Sequence, residues 1–138
     1  KGKELERIRS RVGCLIEAPG LYGNMNAYTN LKIKCELFGI RKKGYIEDIL
    51  ETVGLEGVGK KKTKHFSLGM KQRLGIGLAL VGEPDLLVLD EPINGLDPQG
   101  IAEVRDTIQY HIRVDIGSSE TGDSGAGFYG IYQLSGYR

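Results

Sequence analysis

Leu86-Leu87-Val88-Leu89-Asp90-Glu91-Pro92 is the stretch on which the fold turns, an apolar run that ends abruptly in two acids and a proline. A continuous run of branched apolar residues is the pattern of a strand covered on both faces, as in a parallel sheet flanked by helices. Open α/β sheets bind ligands at the carboxyl ends of such strands, so Asp90 and Glu91 are delivered to an edge suited to a metal ion and a water. Upstream, Phe66-Ser67-Leu68-Gly69-Met70-Lys71-Gln72 sets a Ser and a Gly at the start of a helical pattern. Unpaired N–H groups and the positive end of the macrodipole can face a phosphate there. Downstream, Asn94-Gly95-Leu96-Asp97-Pro98 opens another helix. Each element has a plainer reading: Ser67 as an N-cap, Asp90-Glu91 as a polar strand end, Asp97-Pro98 as a cap and first helical residue. Together and in this order, they favour nucleotide handling.

With these motifs the chain resembles the ATP-binding subunit of ABC transporters. The resemblance implies that Ser67 and Gly69 contact the γ-phosphate of a nucleotide held by a second ATP-binding subunit in a head-to-tail dimer. It implies that Asp90 holds Mg²⁺ through water, that Glu91 orients and deprotonates the attacking water, and that Asp97 lies in a loop crossing the dimer interface. The run Gly13-Cys14-Leu15-Ile16-Glu17-Ala18-Pro19-Gly20-Leu21-Tyr22 is similar to the branch that exports bacitracin, lantibiotics and similar peptides. The family's usual Gln, which touches Mg²⁺ and couples nucleotide to the transmembrane partner, is replaced there by Glu17. A surface acid at a strand end is the plainer account of Glu17.

Such an enzyme also needs a phosphate loop, G-x-x-x-x-G-K-[ST]. The nearest match, Gly54-Leu-Glu-Gly-Val-Gly59-Lys60-Lys61, puts Lys61 where the metal-binding hydroxyl belongs. It follows the amphipathic segment Ile46 to Val53 and leads into Lys60-Lys61-Lys62-Thr63-Lys64, so a polar loop joining two helices is expected. At 138 residues beginning with Lys1, the chain reads as an internal or truncated piece that is inactive alone. The family's switch histidine has no counterpart either, because Val114-Asp115-Ile116-Gly117-Ser118-Ser119-Glu120 carries Glu120 at that place.

The expected fold is α/β, a partial P-loop NTPase of the ABC ATPase kind with a helical subdomain and an incomplete parallel sheet. Residues 1–19 read as core sheet, with a strand at Val12 to Ile16, and the loop carrying Glu17. Residues 20–81 read as the helical subdomain. Asn26 caps a first helix with Tyr28, Leu31, Ile33, Cys35, Leu37 and Phe38 on its apolar face up to Gly39; a second helix covers about Lys43 to Val53, and a third about Gly69 to Val81. Residues 82–116 hold the Asp-Glu strand, the interface loop and a helix from Asp97-Pro98 to about Ile112, with Ile101, Val104 and Ile108 inward. Residues 117–138 read as a Gly-rich, poorly ordered tail. With central strands missing, edges and apolar faces are expected to be exposed.

The net charge is +1, but residues 1–73 hold sixteen Lys/Arg against eight Asp/Glu and residues 74–138 hold three against ten. The cations are scattered without interleaved aromatics, which favours a solvated face over nucleic acid. Cys14, Cys35, His65 and His111 match no paired metal-ligand spacing, and Cys14 reads as a buried thiol in a reducing compartment. No run is long and apolar enough to span a bilayer. The resemblance implies that the intact parent is the ATP-hydrolysing, Mg²⁺-dependent subunit of a peptide-antibiotic exporter or immunity system. It would sit on the cytoplasmic face of the membrane against a separate permease. A non-catalytic fragment or gene remnant, or a soluble ATPase acting on nucleic acid or ribosomes, are the alternatives.

Overall fold

The computed structural model describes residues 2–9, 12–16, 20–84, 86–90, 96–111 and 129–133. Helix α1 (Gly2–Arg9) leads into strand β1 (Val12–Ile16), and helices α2 (Ala27–Leu37), α3 (Tyr45–Thr52) and α4 (Leu68–Leu80) follow. Strand β2 (Leu86–Asp90), helix α5 (Pro98–His111) and strand β3 (Tyr129–Gln133) complete the order. The three strands form one sheet in the order β1-β2-β3. β1 and β2 are parallel, with Val12 opposite Leu86 and Ile16 opposite Asp90. The parallel pair expected from the two apolar runs is thus present, and β2 occupies the centre with Leu87 and Leu89 buried.

β3 runs antiparallel to β2, with Asp90 opposite Tyr129. It falls within the stretch expected to be poorly ordered, and it departs from that expectation at five residues. Tyr129-Gly130-Ile131-Tyr132-Gln133 combines two aromatic residues and one β-branched residue, the composition that suits a pleated, half-covered surface. Glu120 and the rest of the tail lie outside the described residues.

The helical subdomain follows its local signals. Asn26 is extended and its Oδ1 accepts from the Thr29 amide at 2.8 Å, capping α2. α2 closes at Gly39, where the Ile40 amide donates to the Cys35 carbonyl at 2.8 Å. Its buried face differs from the expected one. Ala27, Asn30, Leu31 and Cys35 point inward, whereas Tyr28 and Phe38 are exposed and Leu37 is 81% exposed. A polar residue occupies that face because all its hydrogen-bonding groups find backbone partners, as described below. Cys14 also departs from expectation. It is exposed, while its neighbours Gly13 and Leu15 are buried, as strand alternation requires. α1 has no counterpart among the expected elements.

One close approach anchors the helices to the sheet. A Cβ placed on Gly13 would lie 2.2 Å from the backbone oxygen of Ala79 near the end of α4, and 3.1 Å from the Pro84 ring. Backbone cannot yield as a flexible side chain does, so any larger residue must push α4 away from β1. Leu74, Ile76, Leu80, Ile49, Val53 and Leu31 fill the space between α4 and its neighbours. We expect Gly13→Ala to lower stability by roughly 1–3 kcal/mol or more. Gly20→Ala, outside the helices and strands and with nothing within 4 Å of the added carbon, serves as the control that loses no stability. Urea denaturation of the two variants tests the difference.

Candidate functional site

α4 begins with a capped turn. Ser67 is extended (φ −61°, ψ 162°), and its Oγ accepts from the Met70 amide at 3.1 Å. The plain N-cap reading of Ser67 therefore holds, and it is compatible with anion contact. A hydroxyl that accepts one bond still has its own hydrogen to donate, and the amides of Leu68 and Gly69 in the first turn have no helical carbonyl to reach. Ser67 is exposed and Gly69 is buried.

α5 begins in the same way. The Asp97 carboxylate accepts from the Gly100 amide at 2.7 Å, and its carbonyl accepts from the Ile101 amide at 2.9 Å. Pro98 fills the first helical position, where its missing N–H is no loss. The two helices then meet. A Cβ on Gly69 would lie 3.5 Å from the Cα of Gly100. One turn further along each helix, Arg73 Nη2 pairs with Glu103 Oε2 at 3.1 Å. Contacts that advance in the same direction along both chains mean that α4 and α5 run parallel. Ser67 and Asp97, proposed from separate motifs, are thus brought to one end of a helix pair, where two positive dipole ends lie side by side.

Arg73 reaches a third element. Its Nη1 donates to the carbonyl of Gly54 at 3.0 Å and, more weakly, to that of Val53 at 3.4 Å. These are carbonyls beyond the last turn of α3, where a cation is favoured. No sequence signal singled out Arg73 or Glu103; a basic residue two turns into a capped helix is ordinary until its partners are known.

At the sheet, Asp90 ends β2 beside Ile16, the last residue of the parallel strand β1. The two strand ends share the carboxyl edge, the position expected of a ligand site in this architecture. Glu17 and Glu91, the next residues along each chain segment, lie outside the described residues. The glycine- and lysine-rich stretch that came nearest to a phosphate loop is a helix terminus. Gly54 (φ +69°) donates to the Glu51 carbonyl at 3.1 Å and Leu55 to the Leu50 carbonyl at 2.8 Å, the paired bonds of a Schellman cap. Lys60, Lys61, Lys62 and Lys64 beyond it are exposed.

Behind this site, Lys34 is partly buried between α2 and α4. Its Nζ donates to the Leu78 carbonyl and lies 5.7 Å from the centre of the Phe38 ring. Burial holds the Lys34 ammonium below the usual lysine range, with smaller opposing effects from Cys14 and Cys35. Burial pushes the Cys35 thiol up, against the pull of Lys34. No group of three or more metal-ligating side chains occurs among the described residues.

Residues 1–94 match the family model described as ABC transporter. The chain belongs to the ABC transporter family. Helix α5 and the tail lie beyond the matched residues. Over 103 residues the chain is 52% identical to a bacitracin transport ATP-binding protein of Bacillus licheniformis, covering 75% of this chain and 34% of that protein. Over 110 residues it is 47% identical to a lantibiotic transport ATP-binding protein of Streptococcus pyogenes, covering 79% of this chain and 48% of that one. Among solved structures, cbiO1 from Clostridium perfringens, part of the ABC transporter complex cbiONQ, superposes with a TM-score of 0.68. It is 27% identical, covering 78% of this chain and 45% of that one. The chain thus spans between a third and a half of the length of these relatives. No described helix is long and apolar enough to cross a membrane.

The cap geometry gives a first check. Ser67→Ala removes the acceptor for the Met70 amide and is expected to cost about 1 kcal/mol, and Asp97→Ala a similar amount, each about halved by a Gly replacement. Chemical denaturation of the four variants measures this, and the two effects should differ in salt dependence, since only Asp97 carries charge.

Proposed function

We propose that this chain is part of an ATP-binding, ATP-hydrolysing subunit of an exporter of peptide antibiotics, or of a system giving immunity to them. The observation that carries the reading is the parallel packing of α4 and α5, which sets Ser67 and Asp97 at one end of a helix pair. The similarity to bacitracin and lantibiotic transport proteins supplies the transported class.

In this reading the chain supplies the face that meets a nucleotide held by a second ATP-binding subunit, head to tail. The Ser67 hydroxyl donates to the terminal phosphate while accepting from Met70, and the first-turn amides of Leu68 and Gly69 add to it. Asp97, capping α5, borders the subunit interface. ATP bound with Mg²⁺ supplies the reactive phosphoryl group. Asp90 at the end of β2 is suited to hold the metal through water. Glu91 acts as the general base that orients the attacking water and takes its proton. Glu17, after β1, couples this edge of the sheet to a separate transmembrane permease, and the subunit sits against the cytoplasmic face of the membrane.

A second reading concerns the polypeptide by itself, and the helix cap at Gly54 favours it. The only stretch with phosphate-loop spacing is committed to ending α3, so the 138 residues taken alone form a non-catalytic piece that offers its α4 face in trans. Nothing specific favours a nucleic-acid-directed ATPase; the exposed lysines at 60–62 and 64 are an ordinary solvated run.

Two experiments test these statements. In the intact subunit, Glu91→Gln should lower ATP hydrolysis at least about 100-fold, the usual scale of a lost general base, while leaving MgATP binding in place; equal activity of the variant would remove Glu91 from the mechanism. For the 138-residue chain, saturating MgATP should leave the melting temperature unchanged, because a ligand stabilises only a fold that binds it. A rise of several degrees would overturn the assignment of this chain as the trans face alone.

A further inference from the structure

Two buried polar side chains join the segment Tyr22–Asn26 to the turn before Ser67. Asn30 in α2 is 3% exposed and Thr63 is 1% exposed. Both converge on Tyr22. The Tyr22 amide donates to Asn30 Oδ1 at 2.8 Å, and its carbonyl accepts from Thr63 Oγ1 at 2.9 Å and from Asn30 Nδ2 at 3.3 Å. Asn30 Nδ2 also donates to the Asn26 carbonyl at 2.8 Å. The backbones complete the join. Thr63 donates to the Met25 carbonyl at 2.9 Å, Lys64 donates to the Gly23 carbonyl at 3.0 Å, and Asn26 and Lys62 form an antiparallel bridge.

From Thr63 the path to the candidate site is short and stiff. Residues Thr63–His65 form a 3₁₀ turn, the Phe66 amide donates back to the Thr63 carbonyl at 3.0 Å, and Phe66 itself is buried. Ser67 follows directly. With the donors and acceptors of two buried side chains satisfied, the network favours one geometry, because a shift leaves a buried polar group unpaired.

We propose that Asn30 and Thr63 are positioning residues that lock the Tyr22–Asn26 segment to the turn preceding Ser67, so that the start of α2 and the start of α4 move as one body. This rests on the reading of Ser67 as a phosphate contact, but the mechanical link is independent of it. Neither side chain touches nucleotide. Each acts through the Tyr22 backbone, so that the position of this segment is passed on to Ser67.

The test uses Thr63→Val, which keeps volume and removes the donor, Thr63→Ser, which keeps the donor, and Asn30→Asp, which keeps the acceptor for Tyr22 and removes the Nδ2 donors. Amide hydrogen exchange of the 138-residue chain, read by NMR, reports the link. Thr63→Val should lower protection at Tyr22, Lys64 and Met70 together, roughly tenfold, the scale of one lost buried hydrogen bond. Thr63→Ser should restore it. Asn30→Asp should reproduce the joint loss and supplies the readout if Thr63→Val does not fold. A loss confined to Lys64, or equal losses in the Ser and Val variants, would overturn the lock. In the intact subunit, Thr63→Val should lower kcat for ATP hydrolysis about tenfold, with KM little changed and the Ser variant near wild type. An unchanged kcat alongside a broken lock would overturn the positioning role. If the wild-type subunit hydrolyses no ATP, the functional reading falls, and the exchange experiment still decides the lock.

Discussion

The carbonyl oxygen of Ala79 stands where the Cβ of any residue but glycine at position 13 would have to be. That contact sets the distance between β1 and α4, and most of the molecule is referred to α4. α2, α3 and α5 each pack against it, so its height above the sheet determines where Ser67, the capped end of α3 and the α5 interface all lie. The helix is built for this service. It carries glycines at 69, 75 and 77, all buried, which shorten its distance to neighbours on several sides at some cost in helix propensity. A uniformly apolar helix of leucines would be more stable in isolation, but it would hold its neighbours too far away to align two helix N-termini.

How far this was legible in the sequence depends on whether a residue's role is set locally. Asn26, Gly39, Ser67 and Asp97-Pro98 act on the backbone within four residues, and their effects on helix boundaries could be read directly. The β2 strand announced itself by an apolar run ending in acids, and the parallel pairing with β1 followed from it. Asn30 was invisible because its value comes from Tyr22, Met25 and Asn26 carbonyls that only the fold brings near. Arg73 was invisible for the same reason, with partners 19 and 20 residues back and 30 residues ahead. Cys14 misled because a short apolar run does not reveal which residues face the helices. α1 was missed because Gly2–Arg9 is short and charged, and only Leu5 and Ile8 mark its apolar face.

The capping of α4 by Ser67 and the proposed contact with phosphate are compatible in one arrangement. A serine at an N-cap turns its oxygen inward to the third amide of the helix, and its hydroxyl hydrogen remains able to donate outward. The cap thereby fixes the rotamer and makes the residue a donor directed away from the helix. Aspartate in the same position has no donor to offer, which suits Asp97 to a different task. Two chemically similar caps on adjacent helices thus divide into one that can meet an anion and one that repels it.

That division answers an electrostatic difficulty created by the fold itself. Two helices packed in parallel bring like dipole ends together, an arrangement less favourable than antiparallel packing. Asp97 offsets the field at α5, and the Arg73–Glu103 pair, one turn in, is nearly neutral as a unit. At α4 no acidic residue occurs in the first turn, and the nearest charged side chain along the helix is Lys71. The positive end at Ser67 therefore remains uncompensated by the helix's own residues, next to a neighbour that has been compensated. A fold selected only for stability would place an acid there, worth about 0.3–1 kcal/mol. Leaving the position to serine keeps an anion-seeking end at the surface beside Asp97, as the proposed contact with a second subunit's nucleotide would require.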